Sequence, residues 1–349
     1  MVDVYWKIRA LAEKGIRIHL HCFHYGRAFA KELDEYCASV HYYPRKTGIL
    51  KQFSQTPYIV YTRCSQDLVD RLKQDHYPIL FEGVHTSGAM HNPKLKDRNC
   101  FIRAHNIEHQ YYKHLFKQEK RLKDKLFFYI ESQRLKKYEK HLHNGHILGI
   151  SPAEVDFFKN INPRVSYLPP FHPYQSVNRQ KGKGSYALYH GNLSVRENIE
   201  AAIFLIRKVF TGLSIPLIIA GKDPNAKLGK WIQQQKNISL IANPGEQEMQ
   251  TLVQNAQVNV LPTFQSTGIK LKLLSSLFQG RHCLVNSKMV KNTGLEKLCA
   301  ITDDIESMQK ELKRLFETSF NDSHIKEREY LLMKKFSNQK NIQNMIELL

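Results

Sequence analysis

The sequence predicts an α/β protein made of two doubly wound domains, and three observations predict it. At 349 residues the chain exceeds the size at which a single hydrophobic core stops growing. Short β-rich apolar runs alternate with helical patterns over most of its length, which specifies parallel sheets. The stretch PPFHPYQSVNRQKGKG at 169–184, rich in Pro, Gly and basic residues, separates two such series and reads as a linker.

The second series is the cleaner one. Strands are expected at 186–190, 216–220, 238–241, 258–261 and 282–286, with helices at 198–210, 227–235, 246–255 and 269–279. Ser194 and the acidic pair Glu246 and Glu248 mark helix starts, and Gly212 and Gly280 mark stops. In the first series, helices are expected at 4–13, 67–74 and 152–159, with one long helix or a helix pair over 107–142. Strands are expected at 16–23, 78–84, 100–105, 147–151 and 165–168. No period of 20–50 residues repeats, which excludes a solenoid. The domain boundaries follow as 1–172, 173–330 and a C-terminal helix over 331–349 that packs back on the first domain. Two open sheets joined this way face a central cleft. Ligands in such sheets sit at the carboxyl ends of the strands, here the loops HGNLS, AGKDPN, ANPGEQE and PTFQSTG.

Hydrophobic residues make up 42% and charged residues 24% of the chain, an ordinary balance for a folded protein. No stretch approaches the roughly 18 apolar residues that cross a bilayer. Charges interrupt the N-terminus where a signal peptide carries its apolar core, so a cytoplasmic protein is expected. Six scattered cysteines without a CxxC pair read as buried, reduced thiols rather than a zinc site or a disulfide framework. The net charge is +20, of which residues 1–172 carry +11 and the remainder +9. Such an excess on both halves suits phosphates or an anionic membrane surface. No RNP-like sequence, zinc-finger spacing or basic heptad accompanies it, so no nucleic acid is expected as a partner.

The segment ALYHGNLSVRENIEAA, the strand PLIIAGKDP and the run ISLIANPGEQEMQTLVQNAQVNVLPTFQSTGIKLKLLSSLFQGRHCLV follow one another over residues 186–286. Together they resemble the donor domain of GT-B glycosyltransferases of the group 1, family 4-like type. KIRALAEKGIRIHLHCF resembles the first helix and second strand of that family's acceptor domain. FIRAHNIEHQYYKHL, YIESQRLKKYE and ILGISPAEVDFF resemble a mannosyltransferase-type subgroup. The resemblance implies a nucleotide-sugar donor, a glycan or lipid-linked glycan acceptor, no cofactor and no metal.

A sugar nucleotide presents a diphosphate, which calls for backbone N–H groups at helix N-termini and cationic side chains. The donor-binding candidates are therefore Gly191, Asn192, Arg196 and Lys222, then Thr267, Gly268, Ile269, Lys270, Lys272 and Ser275. Retaining members of the superfamily carry two carboxylates eight positions apart around this loop. The matching residues here, Thr267 and Ser275, are not acidic, which leaves the hold on sugar and ribose open. The family also begins with a strand and a Gly-rich loop, whereas this chain begins inside the helix that follows. An apolar strand and Gly-rich loop encoded upstream of Met1 are the corresponding expectation.

His85 in FEGVHTSG matches the acceptor-domain His that faces the sugar, where it would position and polarise the acceptor. His105 in RAHNIEH is the second catalytic candidate. His105-x-x-Glu108-His109 also fits the H-x-x-E-H zinc pattern. That pattern needs both His on one helical face, and His105 ends a strand instead. Residues 113–140 hold ten basic and four acidic residues interleaved with aromatics. Such a helix either lies on anionic headgroups, with Lys136 and Lys137 as contacts, or shows an ordinary solvated face. The leading reading is a retaining hexosyltransferase, with mannose as a candidate sugar, peripheral on the inner membrane face. The alternatives are a catalytically impaired GT-B remnant and, from charge alone, a nucleic-acid-binding protein.

Overall fold

The structure, a computed structural model, describes residues 2–24, 26, 28–48, 54–224, 226–264 and 271–349. It divides into two compact units, one of Met1–Pro173 with Asn338–Leu349 and one of Tyr174–Ser337.

The first unit opens with α1 (Val2–Glu13), β1 (His19–His24) and β2 (Ser39–Pro44). There follow α2 (Tyr58–Tyr61), α3 (Gln66–Leu72), β3 (Ile79–Glu82), β4 (Cys100–Ala104), α4 (Glu108–Gln118) and α5 (Leu122–Glu139). The series closes with β5 (His146–Gly149), α6 (Pro152–Lys159) and β6 (Val165–Tyr167). Pro152 opens α6 at a position where its missing N–H costs nothing. Strands β3, β4, β5 and β6 form a parallel sheet in that order, while β1 pairs in parallel with β2 as a separate two-stranded sheet. Strand β2 has no counterpart among the expected elements, because HYYP lacks apolar alternation and ends on Pro. Its Tyr43 is nevertheless buried in one core with Phe81, Ile102 and Phe158.

The second unit contains β7 (Ala187–His190), α7 (Arg196–Phe204), β8 (Leu217–Gly221), α8 (Ala226–Ile232) and β9 (Ile238–Ala242). It continues with α9 (Glu246–Asn255), β10 (Val258–Leu261), α10 (Leu271–Gln279), β11 (His282–Val285) and α11 (Ser287–Val290). It ends with β12 (Ala300–Ile301), α12 (Ile305–Glu317) and α13 (Asp322–Phe336). The six parallel strands run in the order β12-β11-β10-β7-β8-β9. Strands β7, β10 and β11 are buried along their whole length, as helices on both faces of a parallel sheet require. Helix α12, absent from the sequence reading, and α13, of which that reading held only residues 331–336 within its C-terminal helix, start at side-chain caps. Asp304 accepts the Ser307 N–H at 2.8 Å, and Asn321 accepts that of Ser323 at 3.1 Å.

Four expectations need correction. Ser194 does not cap α7; its N–H is taken by the Asn192 side chain at 2.9 Å, and the helix starts after Val195. Residues 331–337 belong to the second unit, and the chain returns to the first only with α14 (Asn338–Leu348), whose Ile342 and Met345 pack in one core with Ala10, Leu11 and Phe171. The Pro-rich stretch is not all linker, since Phe171 is fully buried and its N–H donates to Asp3 at 2.7 Å. Of the six cysteines only Cys100 and Cys283 are buried, while Cys22, Cys37, Cys64 and Cys299 are half-buried, and all six are free thiols. Among the described residues no helix is long and apolar enough to cross a membrane.

Candidate functional site

In the second unit the strand order reverses between β7 and β10. Chain connections leave these two neighbours in opposite directions, so a crevice opens at their carboxyl ends. Gly191 follows β7, and Gly221 ends β8 beside it. A Cβ on Gly221 would lie 1.8 Å from the Gly191 carbonyl oxygen, and one on Gly191 would lie 3.2 Å from the Asn198 side chain. Gly221 is buried, so glycine there lets the ends of β7 and β8 pack backbone to backbone, while half-buried Gly191 places no Cβ over the loop that follows β7. The Asn192 carbonyl accepts from the Asn198 amide at 2.9 Å, which ties this loop to the first turn of α7.

Lys272, in the first turn of α10, reaches across to this loop. Its Nζ donates to the Asn198 amide oxygen at 3.0 Å and lies 4.9 Å from the centre of the Tyr189 ring. Behind it, His190 Nε2 pairs with Ser276 Oγ at 3.0 Å. Burial, with Lys272 nearby, pushes the His190 imidazole down to about 3, so the ring is neutral. From the end of β10, Thr263 Oγ1 donates to the Glu197 carboxylate at 2.5 Å, and the Thr263 N–H and C=O both bond the Asn286 side chain. Sequence reasoning missed His190, Ser276, Glu197, Thr263 and Asn286. The one available signal was the place of His190, Thr263 and Asn286 at or just beyond strand ends; Glu197 and Ser276 lie within α7 and α10.

The remaining donor-side candidates fare differently. Thr267, Gly268, Ile269 and Lys270 lie outside the described residues. Arg196 donates to Glu200 at 2.8 Å across an exposed helical turn. Lys222 is exposed, and its carbonyl accepts the Leu193 N–H at 2.8 Å. Ser275 is hydrogen-bonded to the Tyr174 hydroxyl, one turn beyond Lys272.

In the first unit, both His candidates collect at the carboxyl ends of β3 and β4. His105 Nε2 lies 3.1 Å from Glu82 Oε2, and its Nδ1 lies 3.9 Å from Asp3. Lys7 forms ion pairs with Glu82 and, at 3.6 Å, with Asp3. Burial alone would raise the Glu82 carboxyl, but Lys7 and then His105 bring it down to about 2. Asp3 is held well below the usual carboxylate range by Lys7 and Arg103 against its own burial. His85 lies over Gly83, where a Cβ would meet the ring at 2.4 Å, and Gly83 holds a φ of 92° that favours glycine. Burial, then Arg63, His105 and Arg45, push His85 down to about 3. A neutral imidazole ringed by cations accepts a hydroxyl proton in a hydrogen bond and tolerates nearby anionic charge.

Fully buried Arg103 donates to Asp3 at 3.2 Å, to the Pro169 carbonyl at 3.0 Å and to the Leu168 carbonyl. It ties α1 to the segment after β6 and thereby positions Asp3. Asp3, Glu82 and His105 converge closely enough to contact one cation. Lys7 and Arg103 already neutralise the two carboxylates there, which disfavours a further positive ion. The zinc pattern does not assemble. His105 faces Glu82, whereas His109 Nδ1 pairs with Glu139 at 2.5 Å. Glu108, deeply buried near Glu139, is pushed up to about 7.

No known family profile matches the chain. An uncharacterized 44.6 kDa protein in the cps region of Klebsiella pneumoniae is 25% identical over 292 residues, 78% of this chain and 75% of the relative. Among solved structures, a glycosyltransferase from Rickettsia africae aligns over 99% of this chain and 93% of its own, with a TM-score of 0.65 and 9% identity. Arabidopsis thaliana UGT89C1, complexed with UDP-L-rhamnose, covers 100% and 96% with a TM-score of 0.57 and 12% identity. TarM gives a TM-score of 0.60 and 12% identity over 80% of this chain, which spans 57% of the TarM chain. The fold is GT-B. Both sheets that hold the candidate residues are parallel; the six-stranded one is doubly wound, whereas the four strands of the first unit follow sequence order without a reversal, which corrects the expectation of two doubly wound sheets.

Proposed function

We propose that this GT-B protein is a glycosyltransferase that moves a hexose from a nucleotide-sugar to a glycan or lipid-linked glycan, with retention at the transferred carbon. The observation that carries the reading is the strand reversal beside β7. Half-buried Gly191 follows β7 there without a Cβ, and Lys272 is held on Asn198 in the helix that leaves the same loop. That combination offers N–H groups and a cation to a diphosphate leaving group. Lys270 and the backbone around Gly268 would extend the same hold. Transfer breaks the bond from the sugar's anomeric carbon to the diphosphate and forms one to an acceptor oxygen, whose proton passes to an oxygen of the departing diphosphate. His85, kept neutral by burial, would accept the acceptor's hydroxyl hydrogen bond. His105, backed by Glu82, would orient the same hydroxyl. No metal is required, because cationic side chains supply the charge.

Structures that share the fold motivate the first donors to try. UGT89C1 was solved with UDP-L-rhamnose, and a single-residue mutant of S. aureus TarM with UDP and alpha-GlcNAc-glycerol. A thermal-shift panel of UDP-, GDP-, ADP- and dTDP-sugars tests the reading, because a ligand that binds only the folded state raises stability. Transfer of radiolabelled sugar from the stabilising donor then tests catalysis. Binding without transfer or hydrolysis would favour the impaired-remnant reading, which rests on the uncharged Thr267 and Ser275. Absence of binding to all four donors, with salt-sensitive binding to nucleic acid, would overturn both.

A further inference from the structure

Helix α5 turns two carboxylates inward and a row of apolar side chains outward. It buries Glu131, Ser132, Leu135 and Glu139, yet leaves Leu122 85%, Leu126 59%, Tyr129 48% and Ile130 39% exposed. Three contacts set this rotation. The Glu131 carboxylate accepts the Ile59 N–H at 2.9 Å, the Ser132 hydroxyl donates to the His109 carbonyl at 2.9 Å, and Glu139 pairs with the His109 ring. With those groups inside, the residues at 122, 126, 129 and 130 must form one outward stripe, because they recur at i, i+4, i+7 and i+8.

The stripe does not end in neutral surface. Lys136, Lys137 and Lys140 continue it along the same face, and all three are exposed. Lys120, Arg121, Lys123 and Lys125 surround its apolar end. Of the four acidic residues in 113–140, Glu131 and Glu139 are buried, so the outer surface is more basic than the sequence balance implies. A second copy of this chain would bring the same positive surface against itself and be repelled.

We propose that the outward face of α5 is an interfacial docking surface for an anionic lipid bilayer. Leu122, Leu126, Tyr129 and Ile130 enter the boundary between headgroups and acyl chains, and Lys136, Lys137 and Lys140 pair with lipid phosphates. The proposal rests on the lipid-linked acceptor proposed above, and its test reads lipid binding rather than sugar transfer, so the two can fail separately.

The full chain should float with vesicles of phosphatidylcholine and phosphatidylglycerol, release at high salt, and bind phosphatidylcholine vesicles weakly. The Leu122→Ser/Leu126→Ser variant should bind roughly tenfold more weakly while its thermal unfolding is unchanged, since both side chains are exposed. Leu126→Trp should shift its emission to the blue on adding anionic vesicles, a readout independent of the serine variant. Lys136→Glu/Lys137→Glu should weaken binding and flatten its salt dependence. Equal binding to both vesicle types would overturn the proposal, as would a Trp emission that anionic vesicles leave unmoved. So would serine variants that abolish a concentration-dependent dimer, or capture of an acidic protein, while leaving vesicle binding intact.

Discussion

A Cβ built on Gly221 would sit 1.8 Å from the carbonyl oxygen of Gly191, closer than any non-bonded contact allows. The ends of β7 and β8 therefore touch backbone to backbone, on the side of β7 away from the reversal with β10. Gly221→Ala should destabilise the second unit by about 1–3 kcal/mol, the usual cost of overpacking. Gly229→Ala is the control, because nothing lies within 4 Å of that position in α8, and alanine there should stabilise by about 0.5–1 kcal/mol. Calorimetry of both variants checks this, and equal melting temperatures would contradict the contact.

Lys272 stands at the same loop with the Tyr189 ring beside it. If it holds donor phosphate, Lys272→Ala should weaken nucleotide-sugar binding by about 1.5–3 kcal/mol, as for other charge-assisted contacts. Lys272→Arg should retain part of the affinity. Lys270→Ala and Gly268→Val serve as companion variants for the loop before α10. Titration calorimetry that finds all four variants unaltered would move the donor elsewhere.

The Asp3–Arg103 pair is almost entirely out of solvent. Removing Arg103 takes from buried Asp3 its nearest cation and leaves Lys7 at 3.6 Å, so Arg103→Met should cost about 3–5 kcal/mol of stability in the first unit. The double variant Asp3→Leu/Arg103→Met should recover a large part of that loss, because no buried charge is left over from the pair. Urea unfolding of the single and double variants decides it, and additive losses would show that the two residues act independently.

Glu108 has its folded pKa raised from 4.5 to about 7 by burial and by Glu139. The sign follows from linkage: its contribution is fully present below pH 4.5 and is lost as pH rises through 7. Glu108→Gln should therefore leave stability unchanged near pH 4. It should raise it at pH 8 by an amount on the order of 3 kcal/mol. Denaturation curves at the two pH values check this, and a gain of equal size at both would refute the buried-carboxylate origin.

Much of the second unit is legible in the sequence. Ile238–Ala242, Glu246–Asn255 and Val258–Leu261 stand within a residue of their expected bounds. A strand buried on both faces must be an apolar run, and a helix must repeat its apolar face every 3.6 residues. Gly191, Asn192 and Lys272 could be singled out because phosphate recognition favours glycine, helix starts and cations in strand-end loops. Strand β2 escapes such a reading because its Tyr and His residues gain their cores and partners from other segments, among them β1, β3 and β4. His21 Nδ1, for example, lies 2.8 Å from the Tyr43 hydroxyl.

Local periodicity and turn chemistry act over a few residues, so the chain alone dictates the alternation of strands and helices and the residue types at strand ends. Longer-range relationships came only with folding. Folding joined Asp3 to Arg103 across 100 positions and His190 to Ser276 across 86. It turned α5 so that Glu131 and Glu139 face inward and Leu122 and Leu126 face out. The helical pattern of α5 is ambiguous because apolar and polar residues occupy both faces. Hydrogen bonds offered by Ile59 and His109 help select its rotation, and those donors and acceptors belong to distant segments that folding brings alongside.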